Sequence, residues 1–133
     1  MRSPGGFTLL ELLIVLAIAA LIVTLATPSW LAYVARAHRA DAIAMLLGVA
    51  ACQERLRATQ GRYDTRHCLP EGQGRYRYRY AGAPPGPRRS FTVRAEPGAA
   101  QLGDPCGTLV LTNDGMRSAE APAADPAACW AAR

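Results

Sequence analysis

Gly5-Gly6-Phe7-Thr8-Leu9-Leu10-Glu11 leads without a break into an apolar run over residues 12–25. From Phe7 to the end of that run at Leu25 the segment is nineteen residues long. At 1.5 Å per helical residue they reach roughly 28 Å, close to the thickness of a bilayer's hydrocarbon core. Ahead of them stands a very short leader with a single internal basic residue, Arg2. One carboxylate, Glu11, sits near the start of the run, where a charge costs about 2.5–3.5 kcal/mol on insertion scales and so needs a partner. A plain membrane anchor accounts for the length. A secretory signal accounts for Thr24-Leu25-Ala26 as a small-residue cleavage site, but it expects a more basic leader and no acid at the head of the run. Neither accounts for the Gly-Gly pair.

The combination of Gly6, Phe7, Glu11 and the anchor length resembles the N-terminus of type IV prepilins, the precursors of pilus and pseudopilus subunits. The resemblance implies cleavage after Gly6 by a prepilin peptidase that also N-methylates Phe7. It further implies that the Glu11 carboxylate meets the amine of Phe7 in a neighbouring subunit. The chain is then expected to divide into a leader (1–6), a membrane and filament-core half-helix (7–27) and a globular head (28–133).

A head of about a hundred residues buries a modest share of its surface and gains from covalent staples. Cys52, Cys68, Cys106 and Cys129 are an even set in a segment expected outside the cytoplasm, where two disulfides are the natural reading. Among the three connectivities, Cys52–Cys68 is expected to clamp the helix end to the next loop. Cys106–Cys129 is expected to tie down the Ala/Pro-rich tail. All fifteen basic residues are Arg, against ten acids, for a net charge of +5.

After Pro28 the pattern resumes at helical spacing, predicting a kink rather than a stop. Leu31, Ala35, His38, Ala42, Met45, Val49, Cys52 and Leu56 follow steps of three and four as the expected packing stripe. Arg36, Arg39, Glu54 and Arg57 are placed on other faces, and Ile43 and Leu47 opposite. Gly61 is the expected C-cap. Residues 62–70 read as an irregular loop. Arg75-Tyr76-Arg77-Tyr78-Arg79-Tyr80 alternates with the period of a strand, tyrosines on one face and arginines on the other. Residues 90–95, 108–112 and 116–118 predict three more strands, with short antiparallel connections. Residues 119–128 predict a surface segment pinned by Cys129-Trp130.

A long helix followed by a small antiparallel sheet is similar to the α+β ladle of pilins. Gly103-Asp104-Pro105-Cys106-Gly107-Thr108-Leu109, Cys129-Trp130, Arg39-Ala40-Asp41-Ala42 and Gln53-Glu54-Arg55 resemble type IVa minor pilins, the group that includes the DNA-uptake-sequence receptor.

No catalytic constellation is present: there is no G-x-S-x-G, no H-E-x-x-H and no phosphate-binding glycine loop, and enzyme activity, metal and cofactor are not expected. The two histidines, His38 and His67, make no zinc pattern with the cysteines. Between residues 62 and 94 lie eight arginines against Asp64 and Glu71. Such a surface would bind phosphate in a salt-dependent, largely sequence-independent way. Arg75, Arg77, Arg79, Arg88, Arg89 and Arg94 are its candidate contacts, and a solvated strand face is the plainer reading.

The resemblance implies a non-enzymatic subunit of a type IV pilus, more a minor than a major one, serving assembly and pilus-dependent motility, adhesion or DNA uptake. Its partners would be other pilin subunits, the prepilin peptidase and N-methyltransferase, the inner-membrane assembly platform and, on the receptor reading, DNA. It would sit in the inner membrane with its head in the periplasm, then in the extracellular pilus. A type II secretion pseudopilin is the further alternative.

Overall fold

The computed structural model describes residues 7–71, 74–82 and 84–131. The chain divides into two compact units, Met1–Val34 and Ala35–Arg133. Helix α1, Leu9–Gln60, contributes to both.

In the first unit, Thr8 caps the helix. Its Oγ1 accepts from the Glu11 backbone N–H at 3.2 Å, and its carbonyl accepts from the Leu12 N–H at 3.2 Å. Thr8-Leu9-Leu10-Glu11 has the spacing of a capping box, which also places Glu11 at the positive end of the helix dipole. The other two threonines of this segment satisfy their hydroxyls internally, Thr24 on the Leu21 carbonyl at 2.8 Å and Thr27 on that of Val23 at 2.6 Å. The helix continues through Pro28. Its apolar side chains, from Phe7 and Leu9 to Leu25, stay exposed.

The second unit is built on a four-stranded antiparallel sheet of order β2-β4-β5-β6: β2 Tyr76–Tyr80, β4 Thr92–Pro97, β5 Leu109–Thr112 and β6 Arg117–Ala119. Tyr78 pairs with Ala95, and Ala95 with Leu109, so apolar positions align across three strands. With the strand period of two, that face carries the tyrosines, Val93, Ala95, Leu109 and Leu111. They form one core with Ala42, Leu46 and Val49 of α1. Full burial of Leu46 contributes about 1.5–3 kcal/mol. Gly61 ends α1 in the left-handed region (φ 73°), and its N–H reaches the Arg57 carbonyl at 2.8 Å.

Three expectations are corrected. The packing face of α1 is Arg39, Ala42, Ile43, Leu46, Val49 and Gln53, whereas Leu31 and Met45 are exposed. Apolar residues occur on several faces of this alanine-rich helix, so spacing alone does not select one. Long-range partners select it instead. Residues 62–70 are not wholly irregular, because β1 Tyr63–Asp64 pairs antiparallel with β3 Pro87–Arg88 as a separate two-stranded ribbon. The tail contains a short helix, α2 Pro126–Trp130, capped by Asp125, whose Oδ1 accepts from the Ala127 N–H at 3.0 Å. It packs against β6, with Trp130 Nε1 donating to the Ser118 carbonyl at 3.0 Å.

Candidate functional site

Two disulfides and two buried polar networks hold the head in register. Cys52 bonds Cys68, and Cys106 bonds Cys129. Beside the first bond lies Gln53, fully buried. Its Nε2 donates to the Asp64 carbonyl at 2.8 Å and to the Tyr80 hydroxyl at 2.6 Å, while its Oε1 accepts from the Asp64 N–H at 3.0 Å. Tyr80 passes its own proton to the His67 carbonyl at 2.9 Å. One side chain of α1 thus positions both the β1 ribbon strand and the end of β2.

The second network centres on Asp104, whose side chain is wholly buried. Arg39 Nη1 donates to Oδ1 at 2.6 Å and the Cys106 N–H to the same oxygen at 2.8 Å. Gln101 Nε2 donates to Oδ2 at 3.1 Å and Tyr76 Oη to Oδ2 at 3.2 Å. Gln101 also reaches the Ala35 carbonyl at 2.9 Å. Burial, reinforced by the Asp104 charge, pushes the Tyr76 hydroxyl up to about 12. Sequence reading placed Arg39 off the packing stripe and named Asp104 only within the Gly103–Leu109 motif. The structure joins them across 65 residues.

The arginines divide into compensated and uncompensated sets. On the outer sheet face Arg77 opposes Glu96 and Arg79 opposes Arg94. Arg79 is ion-paired with Glu96, and Arg94 with Glu120. Arg75 Nη1 donates to the Ala100 carbonyl at 3.3 Å. Arg75 and Arg77 form no ion pair among the described residues, so that face keeps part of its charge. It is still less basic than its arginine count suggests, because Glu96 and Glu120 lie beyond the charge-rich stretch in sequence. The β1–β3 ribbon differs. Tyr63 pairs with Arg88, so Arg62 and Arg89 are the next residues along the same ladder. Arg62, Arg88 and Arg89 have no acidic partner among the described residues. Arg66 is bonded to Asp64 and holds its carboxyl well below the usual carboxylate range. Arg62 was absent from the candidate contacts, because only pairing with β3 brings it beside Arg88 and Arg89.

Of the three residues expected to serve processing and assembly, Gly6 lies outside the described residues. Phe7 and Glu11 are exposed at the start of α1. No cluster of metal-ligating side chains occurs among the described residues.

Residues 28–110 match the sequence profile of the family described as "Type IV minor pilin ComP, DNA uptake sequence receptor". Residues 1–27 match the profile of the prokaryotic N-terminal methylation motif. Among solved structures, a type IV pilin from Shewanella oneidensis is similar at 28% identity, covering 69% of this chain and 96% of that one, with a TM-score of 0.55. No curated protein matches the chain. The first profile spans more than half of the chain and the second ends where it begins, over a helix-and-sheet fold shared with a solved pilin. The protein therefore belongs to the type IV minor pilin family and is a structural subunit of a type IV pilus.

Proposed function

We propose that this subunit is cut after Gly6, methylated at Phe7 and held in the inner membrane by residues 7–27 with its head in the periplasm. It then enters the filament with Glu11 offsetting the Phe7 amine of a neighbour. What supports this reading is, among the described residues, a single helix long and apolar enough to cross a membrane, with no part of its apolar window buried, and one carboxylate in its first turn. Such a surface requires lipid or other helices as its solvent. In membranes bearing the peptidase, the mature chain begins at N-methylated Phe7 by intact-mass and N-terminal peptide spectrometry. A start at Thr27 would instead make the segment a secretory signal. Glu11→Gln is inserted and cut but is depleted from sheared pili; normal incorporation removes the carboxylate's role.

The head, on the same reading, is a receptor for duplex DNA, and its contacts centre on the β1–β3 ribbon. The observation that carries this is the uncompensated trio Arg62, Arg88 and Arg89, set against the paired Arg79 and Arg94 of the sheet. The test uses the full chain in detergent with a fluorescent duplex, titrated across salt. Arg88→Gln with Arg89→Gln weakens binding to all sequences and flattens the log–log salt slope by about 0.9 per lost phosphate contact. Arg79→Gln with Arg94→Gln changes the slope little. Equal effects from both pairs would return the site to the sheet face. No binding at low ionic strength would leave a purely structural subunit.

A further inference from the structure

Trp30 and Tyr33 stand three residues apart on α1, with ring centroids 6.0 Å apart. Both are exposed, at 64% and 60%. The other tryptophan, Trp130, is buried and gives its indole N–H to the Ser118 carbonyl. Trp30 has no such acceptor among the described residues. A large aromatic with a polar tip and no protein partner wants surroundings that are apolar on one side and wet on the other.

The helix supplies that position. Counted from Phe7, residues 7–27 rise about 31 Å and so fill a hydrocarbon core of roughly 30 Å. Trp30 then lies about 4.5 Å beyond the core edge and Tyr33 about 9 Å beyond it. The headgroup layer on each side is about 5–8 Å deep, and helical side chains lean toward the N-terminus, so Trp30 falls within the layer and Tyr33 at its outer edge. Tryptophan and tyrosine concentrate at that depth because the ring displaces water while the N–H or O–H stays hydrogen-bonded.

We propose that Trp30 and Tyr33 form an interfacial anchor, docking on the lipid headgroup layer and fixing how deep the unassembled subunit sits. The proposal rests on the membrane-anchor reading above, and the test separates the two. The full chain is placed in vesicles of phosphatidylethanolamine and phosphatidylglycerol, with wild type compared to Trp30→Phe, so that the difference signal isolates Trp30 from Trp130. Flotation with the vesicles establishes anchoring, and a chain that does not float loses the anchor and this inference together. In floating samples the Trp30 difference signal is blue-shifted and loses more intensity to a quencher on the shallow acyl carbons than to one near the chain end. Stronger loss to the deep quencher, or quenching only by an aqueous quencher, overturns the interfacial anchor while leaving the membrane anchor standing. In Tyr33→Leu the Trp30 quenching shifts toward the deep label; an unchanged ratio overturns Tyr33's share in the anchor.

Discussion

Removing either partner of the Arg39–Asp104 pair should destabilise the head more than any exposed substitution. The Asp104 side chain has no exposure and that of Arg39 has 10%, so either charge left alone has almost no access to water. Breaking such a buried pair from one side costs about 3–5 kcal/mol. In a domain of this size each kcal/mol lowers the melting temperature by about 4–8 °C, so Arg39→Met or Asp104→Asn should each lower it by at least about 12 °C. The double variant carries the sharper test. With Arg39→Met and Asp104→Asn together no buried charge remains, and the Asn oxygen can still accept from the Cys106 N–H that now bonds Asp104. The double variant should therefore be no less stable than the worse single, a coupling of at least about 3 kcal/mol. Chemical denaturation of the full chain in detergent, with both disulfides intact, measures all four corners of the cycle. Additivity within about 0.5 kcal/mol would refute the reasoning, since it would mean that the two groups do not sense each other.

Acid should weaken the ribbon's hold. Asp64 is held below its ordinary range chiefly by its bond to Arg66, so it favours the folded state above the unfolded carboxyl's pKa of about 4. That contribution is lost as pH falls through the depressed folded value, so the stability of Asp64→Asn, followed by denaturant titration, should decline less steeply than wild type below about pH 4. Graded thiol reduction with differential alkylation should open Cys52–Cys68 first: both of its cysteines are partly exposed, whereas Cys106 and Cys129 are 3% and 4% exposed. Labelling of Cys106 or Cys129 at the lower reductant concentration would contradict this. Gly107→Ala should destabilise by about 1–2 kcal/mol or more, since φ is 61° and the added Cβ would lie 3.2 Å from the Ala121 backbone nitrogen. Thermal melts that match wild type would show that this turn relaxes freely.

What the sequence determined by itself is what local chemistry can encode. Gly6-Phe7, Glu11 and the apolar run carry the family because the methylation motif is a short contiguous stretch whose pattern needs no distant partner. Gly61 marks the end of α1, and the Tyr-Arg alternation marks β2, because capping and strand period act over a few residues. The capping role of Thr8 was equally legible in Thr8-Leu9-Leu10-Glu11, because a capping box is local. Tertiary structure decided the rest. Which face of α1 is buried depends on Asp104, 65 residues from Arg39. The ribbon exists only because Tyr63 meets Arg88, and the sheet face loses part of its charge only because Glu96 and Glu120 fold onto it. Periodicity cannot report such pairings, because each one's free energy is gained only when two distant segments close upon each other and leave water together.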